Sequence, residues 1–350
     1  MRVVVPAETH PGERRVALVP AGVALLKSWG FDIDLASTAA NGAGFSRSEY
    51  EDAGASLSED VDARLDDADI VLRVRSPSSA SIASLPFGTV HVSLLDPFRS
   101  PELVQAFADR QVSAISLELI PRISRAQKMD VLSSQASLAG YAAVVTAAHE
   151  IPKVFPMMMT PAGTLPPARV LVVGAGVAGL QAIATARRLG ARVEAFDTRP
   201  AVAEEVRSLG ARFLEIDIGE SGQTDQGYAK ALTDAQLALQ REGLAQAVRR
   251  SDVVITTAQV FGRPAPRIVT EEMTEGMKPG SIVIDMAVET GGNVAGSVDG
   301  EARELHGVKV LGLGNLPSEV AAHASEMFSA NLVNFIGEFS AKEAPLELPE

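Results

Sequence analysis

The sequence predicts an α/β protein of two doubly wound domains with parallel sheets, the first discontinuous and joined to the second by long helices. Three observations predict it. Apolar, β-branched runs recur along the chain with helical segments between them, the composition of parallel strands covered on both faces. The chain has 350 residues, enough for two ordinary domains. Two long helical stretches bracket the second set of strands and offer a way out of the first domain and a way back.

The elements follow in order. Strand-like runs of the first set are Arg2–Glu8, Phe31–Ser37, Ala68–Val74, Thr89–Leu95 and Val112–Leu119. A helix over Pro20–Ser28 should end at Gly30, which suits the left-handed position just past a helix. Ser133–Glu150 is long and alanine-rich, and reads as a helix with a serine N-cap that leaves the first domain. The second set is Ala168–Gly174, Ala191–Asp197, Ala211–Asp217, Ser251–Ala258, Ser281–Val288 and Val308–Gly314. A last helix over about Ser318–Ser340 is long enough to return to the first domain. We therefore expect residues 1–135 plus 320–350 to form the first domain. Residues 136–319, connecting helix included, form the second. The alternative is two sequential domains, with the last helix kept by the second.

Bulk properties exclude several functions. Net charge is −13, against a nucleic-acid or anionic-membrane surface, both of which need clustered positive charge. There is no cysteine, so disulfides, thiolate catalysis and cysteine-held metals are absent. The five histidines lack ligand spacing, and no metal site is expected. The first residues, MRVVVPAETHPGERR, do not resemble a signal peptide. Apolar runs such as Val170–Leu180 fall short of the roughly 18 residues that span a bilayer. A soluble chain without direct membrane insertion is expected.

The strongest local signal is VLVVGAGVAGLQAIATARRLGARVEAFD. An apolar strand feeds Gly174-Ala175-Gly176-Val177-Ala178-Gly179, and a helix follows. Gly174 permits the tight turn, Gly176 lets a pyrophosphate approach the backbone, and Gly179 lets helix and strand pack closely. The phosphates would lie at the helix N-terminus. Asp197 ends the next strand, where an acid can accept hydrogen bonds from both ribose hydroxyls of NAD and repel a 2′-phosphate. Arg199 complicates this, since an arginine can also welcome that phosphate. Thr256, Thr257 and Ala258 end a later strand, at the edge where ligands of open α/β sheets bind, or simply end it in small residues.

A second stretch, PRISRAQKMDVLSSQ at 121–135, is dense in hydrogen-bonding groups but holds no histidine or obvious nucleophile. PRISRAQKMDVLSSQASLAGY, FPMMMTPAGTLPPARVLVVGAGVAGLQAIATA, AFDTRP, QGYAKAL, VITTAQVFGRPAP and SIVIDMAVETGGN closely resemble the NAD(H)-binding component of proton-translocating nicotinamide nucleotide transhydrogenases. The resemblance covers roughly Met1 to Phe335. It implies two Rossmann-like domains and NAD(H) bound by this chain. It implies hydride exchange with NADP(H) on a partner domain, coupled to proton movement through membrane-spanning subunits. It also implies a homodimer, lying cytoplasmic and peripheral on the inner membrane as the separate subunit of a split form. By motif, Arg122, Gln127, Asp130 and Ser133 match the loop that contacts the nicotinamide carboxamide. Tyr228, beside Gly227, matches the tyrosine of a mobile loop that closes over NAD(H). Asp197, Thr198 and Arg199 match the ribose-binding segment. Arg125, Ser134 and Gln135 receive no role. GRPAP stands for a more usual GKPAP, and nothing is carried over to Leu85–Pro97.

The related alanine dehydrogenases share this architecture and are the rival. Oxidising an amino acid moves protons as well as hydride and needs acid–base groups near the working pH. That family's lysine position holds Arg75, and arginine does not deprotonate. The histidine position aligns with Ser93, while His91, two residues earlier, faces the same side of the strand. Arg15 occurs in both families. Hydride exchange between two nicotinamides needs no acid or base. It needs C4 of one ring at roughly 3–3.5 Å from C4 of the other, and water kept out. A non-catalytic NAD-binding module is the third reading.

Overall fold

The computed structural model describes residues 1–218 and 233–339. The chain divides into two compact units: Met1–Leu138 with the stretch from Pro317 onward, and Ala139–Leu316.

In the first unit, the run Val3-Val4-Val5 has no exposed surface and makes the central strand β1 (Arg2–Val5). Around it stand β2 (Asp32–Ala36), β3 (Ser56–Ser58), β4 (Ile70–Leu72), β5 (Val90–Ser93) and β6 (Ser113–Ser116). The order is β3-β2-β1-β4-β5-β6, and every pair is parallel. The order reverses between β1 and β4, the kind of switch point where open α/β sheets bind ligands. The helices are α1 (Pro20–Ser28), α2 (Arg47–Asp52), α3 (Ser79–Ala83), α4 (Pro101–Arg110) and the start of α5 (Val131–Glu150). Helix α1 begins on a proline whose missing N–H costs nothing there, and Gly30 follows its end at φ +87°.

In the second unit, β7 (Met158–Thr160) and β8 (Gly163–Leu165) form a separate antiparallel hairpin. The main sheet holds β9 (Arg169–Val173), β10 (Arg192–Phe196), β11 (Arg212–Phe213), β12 (Val253–Thr256), β13 (Ile282–Asp285), β14 (Ala302–Leu305) and β15 (Val308–Gly312). Its order is β11-β10-β9-β12-β13-β15-β14, parallel except for β14 at the edge. Helices α6 (Val177–Arg188), α7 (Ala203–Ser208), α8 (Asp234–Arg250) and α9 (Glu271–Glu275) complete it.

The last helix, α10 (Ala321–Phe339), lies in the first unit. Phe328, Leu332, Phe335 and Ile336 belong to the same apolar core as β1. Ser325 and Ser329 turn their hydroxyl oxygens to the N–H groups of Val16 and Val19, at 3.0 and 3.2 Å. Those groups precede α1 and lack a strand or helix partner, so the serines satisfy buried donors.

One expectation is corrected. Helix α5 starts at Val131, not Ser133, and its cap is Asp130: the Ser133 N–H donates to Asp130 Oδ1 at 2.9 Å. A carboxylate accepting from the third helical N–H also gains from the helix dipole, and it captures the position that a serine cap would otherwise take. By length and composition alone the 20-residue α5 is also apolar enough to cross a membrane, although it holds no unbroken apolar run of that length. Its small residues have another use. Ala142, Ala143, Val144 and Ala147 are buried in the second unit. At Gly140 a Cβ would stand 2.2 Å from the Ala178 carbonyl of α6, so only glycine admits that approach.

Candidate functional site

The glycine turn of the second unit is built by three distinct constraints. Gly174 follows β9 at φ +101°, where a side chain is strained. At Gly179 a Cβ would lie 1.9 Å from the Gly174 carbonyl oxygen, so α6 packs onto the turn only without one. Gly176 has nothing within 4 Å of its would-be Cβ. It is the N-cap of α6 and supplies no side chain to the helix's free N–H groups. Open space, unpaired donors and the dipole of a helix with the half-exposed Val177 at its start suit a dinucleotide's phosphates.

Asp197 follows β10 beside this turn. Its Oδ2 accepts from the Ala175 N–H at 2.8 Å, and its Oδ1 accepts from the Arg199 N–H at 2.8 Å. The Arg199 guanidinium adds Nε to Oδ1 and Nη2 to Oδ2, both at 3.0 Å. Burial works against the charge of Asp197, but Arg199 and the Ala175 N–H outweigh it and hold the carboxyl below its usual range. Thr198, between them, is exposed.

The end of β12 closes the other side of the turn. Thr257 Oγ1 donates to the Gly174 carbonyl at 3.1 Å. Ala258 is gripped by Asn293, whose Oδ1 accepts from the Ala258 N–H at 3.0 Å and whose Nδ2 donates to the Ala258 carbonyl at 2.8 Å. Asp285, at the end of β13, is fully buried and accepts from the N–H groups of Ala287 and Val294 and from Ser297 Oγ. Asn293 and Asp285 escaped the sequence reading. Their signal was present: a polar residue closing an apolar strand, and an amide after a Gly-Gly pair.

In the first unit, residues 121–135 are not an open loop. Ser124–Met129 is a 3₁₀ helix seated on buried Ala126 and Met129, with Arg122 and Gln127 exposed. Asp130 and Ser133 are brought together, the Ser133 hydroxyl donating to Asp130 Oδ2 at 2.6 Å. Gly227 and Tyr228 lie outside the described residues.

The same unit contains a buried charge cluster. Glu13 has no exposed side-chain surface and pairs with Arg15 at 2.7 Å and Arg75 at 3.0 Å. Burial alone would raise its pKa, but the two guanidiniums hold it well below the carboxylate range. Arg15 also donates to Gln135 Oε1 at 2.9 Å. His91 is fully buried against the Phe107 ring, with its Nε2 3.1 Å from Ser93 Oγ and its Nδ1 unpartnered. Burial, helped by the Arg73 charge, pushes its pKa down to about 3. It is therefore neutral at physiological pH and too weak a base to take up a proton in turnover. Elsewhere, Glu150 pairs with Lys309 at 2.8 Å, an ordinary ion pair in the second unit.

Two doubly wound sheets, one carrying a glycine turn with an acid beyond the next strand, define a dinucleotide-binding protein. The chain belongs to the alanine dehydrogenase/PNT family, whose N-terminal domain matches residues 4–139 and whose C-terminal domain matches residues 143–348. It is 45% identical over 343 residues to the first part of the NAD(P) transhydrogenase alpha subunit of Rhodospirillum rubrum, across 96% of this chain and 89% of that one. The crystal structure of a transhydrogenase from Sinorhizobium meliloti superposes with a TM-score of 0.87 at 44% identity, covering 97% of this chain and 94% of that one. An alanine dehydrogenase of Halomonas elongata is more distant, 30% identical over 96% of this chain and 86% of its own.

Proposed function

We propose that this chain is the NAD(H)-binding subunit of a proton-translocating transhydrogenase. It takes part in reversible hydride transfer between NADH and NADP⁺ held by a partner domain. One observation carries the choice over amino-acid oxidation. Where that chemistry needs a proton shuttle, the chain has Arg75 bound to Glu13, and a His91 that burial makes too weak a base to take up a proton.

In the second unit, the turn of Gly174, Ala175, Gly176, Val177 and Gly179 receives the pyrophosphate, with the N–H groups at the start of α6 as its donors, while the N–H groups of Gly174 and Ala175 donate to the Phe196 carbonyl and to Asp197. Asp197 accepts from the ribose hydroxyls, with Thr198 and Arg199 beside it. Its depressed pKa keeps a negative charge where NADP would place a phosphate, and Arg199 faces that carboxylate. This supports NAD(H) for this chain and NADP(H) for the partner. Thr257 and Ala258 line the nicotinamide side. In the first unit, Arg122, Gln127, Asp130 and Ser133 orient the carboxamide. Gly227 and Tyr228, outside the described residues, are assigned to nucleotide binding by motif alone. When bound, the dihydronicotinamide supplies the hydride; the chain's residues orient it and exclude water.

The partners are the NADP(H)-binding and membrane-spanning subunits and a second copy of this chain, at the cytoplasmic side of the membrane. Exposed Met157, Met159 and Leu165 around the β7–β8 hairpin, with Tyr141 and Val145 on α5, are apolar surface of the kind an interface covers. The test is to mix the chain with a transhydrogenase NADP(H)-binding component and follow hydride transfer from NADH to an NADP analogue. Transfer is expected. Alanine-dependent NAD reduction by the chain alone, without such transfer, would overturn the proposal.

A further inference from the structure

We infer that Asn331, on α10, is a positioning residue for hydride transfer; this rests on the function proposed above. Asn331 is 8% exposed and uses both ends of its amide. Its Oδ1 accepts from Ser134 Oγ at 2.7 Å, and its Nδ2 donates to the Lys128 carbonyl at 2.9 Å. Lys128 directly follows Gln127, and Ser134 directly follows Ser133. One side chain, nearly 200 residues away in sequence, therefore ties the two flanks of the segment that carries Gln127, Asp130 and Ser133.

The segment needs such a tie. A 3₁₀ helix leaves carbonyls at its end without helical partners. The Lys128 carbonyl is one of them, and Asn331 satisfies it. Asn334 adds a longer bond to the same oxygen at 3.3 Å. Glu338, further along α10, accepts from Arg125 and from Lys128 Nζ, the latter at 2.7 Å. Helix α10 is itself fixed in the core by Phe328, Leu332 and Phe335. It therefore acts as a rail against which the 3₁₀ turn is hung. Asn331 grips both the turn and the first turn of α5, so it sets the spacing between Gln127 and the Asp130–Ser133 pair. None of these contacts reaches the glycine turn of the second unit. Losing Asn331 should loosen orientation without changing the groups taken to meet the phosphates and ribose.

The experiment uses the full chain carrying Asn331→Ala, Asn331→Asp or Ser134→Ala. NADH affinity is read by fluorescence titration. Hydride-transfer kcat and KM are read with the NADP(H)-binding component, and backbone hydrogen exchange is read over residues 122–130. For N331A we expect faster exchange in that segment, NADH affinity within twofold, and kcat lower on the order of tenfold, since small misplacements cost at least that much. N331D keeps the acceptor for Ser134 but turns an oxygen toward the Lys128 carbonyl, and should be no better than N331A. S134A combined with N331A should add little to N331A, because both break one bridge. A folded N331A with unchanged exchange overturns the positioning role whatever the activity. Equal loss of NADH affinity and kcat overturns it as well, in favour of a merely structural role. Failure of the unaltered chain to transfer hydride overturns the proposed function instead, and the assignment of Asn331 to transfer with it.

Discussion

The glycine turn at 174–179 and the polar segment at 122–133 are both dense in candidate binding groups, yet they are held by opposite means. The turn is a backbone object. Gly174 takes a positive φ, Gly179 has no room for a Cβ against the Gly174 carbonyl, and Gly176 faces open space. These glycine constraints lie within a few residues of each other, and Asp197 and Thr257 add one side-chain bond each from outside the turn. The polar segment is held by side chains from far away: Asn331, Asn334 and Glu338 on α10, and Arg15 through Gln135. A locally determined site is stiff and specific for a shape. A site hung on distant side chains can be tuned or loosened without unfolding. Binding a pyrophosphate suits the first, and adjusting a reacting ring suits the second.

The largest expected effect tests the deepest anchor of the second region. Glu13 is buried between Arg15 and Arg75, and Arg15 holds Gln135 of α5. Glu13→Ala leaves two guanidiniums without the carboxylate they share and should cost about 3–5 kcal/mol of stability, measured by denaturant unfolding. The pH dependence has a definite sign. A carboxyl whose folded pKa is depressed stabilises above its unfolded value, about 4.3, and loses that contribution as pH falls below it toward the folded value. Glu13→Gln should therefore flatten the acid side of the stability curve relative to the unaltered chain. Glu8, whose pKa burial raises, pulls the other way; the Glu13 charge adds to that rise, so Glu13→Gln also eases this smaller, opposing contribution. Parallel curves for the two proteins would show that Glu13 is not held as described.

Next in size is the turn. Gly179→Ala forces a Cβ to 1.9 Å from the Gly174 carbonyl oxygen and should destabilise by about 1–3 kcal/mol, with NADH binding lost along with the turn. Gly176→Ala meets nothing within 4 Å, so it should leave the melting temperature nearly unchanged and still weaken NADH, by crowding the phosphates. If both variants melt alike, the division of labour among the glycines is wrong.

How far the molecule was legible follows from the same contrast. The strand runs of both sheets and helix α1 could be read because apolar periodicity and a terminal glycine are local signals. Short β3, with the polar sequence Ser56–Leu57–Ser58, and the edge strand β14 could not, since neither has an apolar run. Asp130 and Ser133 are both good caps, and only the fold decides that the carboxylate reaches the N–H of Ser133. Ser134 and Gln135 looked idle because their partners, Asn331 and the Ala324 carbonyl, lie on α10. The amide of Asn293 stood out after its Gly-Gly pair, but its role did not, because its target, Ala258, is fixed by the sheet and not by spacing.

A smaller effect is expected at Asp197. Its carboxylate already accepts from Ala175 and Arg199 in this structure, so a ribose hydroxyl must share or replace the guanidinium. Asp197→Asn should weaken NADH on the order of tenfold, about 1.4 kcal/mol, the difference between a charged and a neutral acceptor. It should also narrow the preference for NADH over NADPH, because the repulsion of a 2′-phosphate goes with the charge. Titration with both nucleotides decides this. An unchanged NADH/NADPH ratio would remove Asp197 from the selection.

The smallest expected change in affinity is the sharpest probe of the second region. Gln127 is exposed on a 3₁₀ turn whose Lys128 carbonyl is pinned by Asn331. Gln127→Asn keeps the amide and shortens its reach by one methylene, leaving the turn and its anchors in place. If Gln127 orients a carboxamide, the shorter amide must either lose that bond or pull the ring off line. Nicotinamide transfer demands reacting carbons at roughly 3–3.5 Å, so the rate should fall several-fold while NADH affinity stays within about twofold, less than 0.5 kcal/mol. The contrast with Asp197→Asn is the measurement: one variant shifts affinity and the other shifts rate. Equal loss of affinity in both would make the 122–133 segment a second binding surface with no separate part in transfer, and the two regions would then differ in construction but not in task.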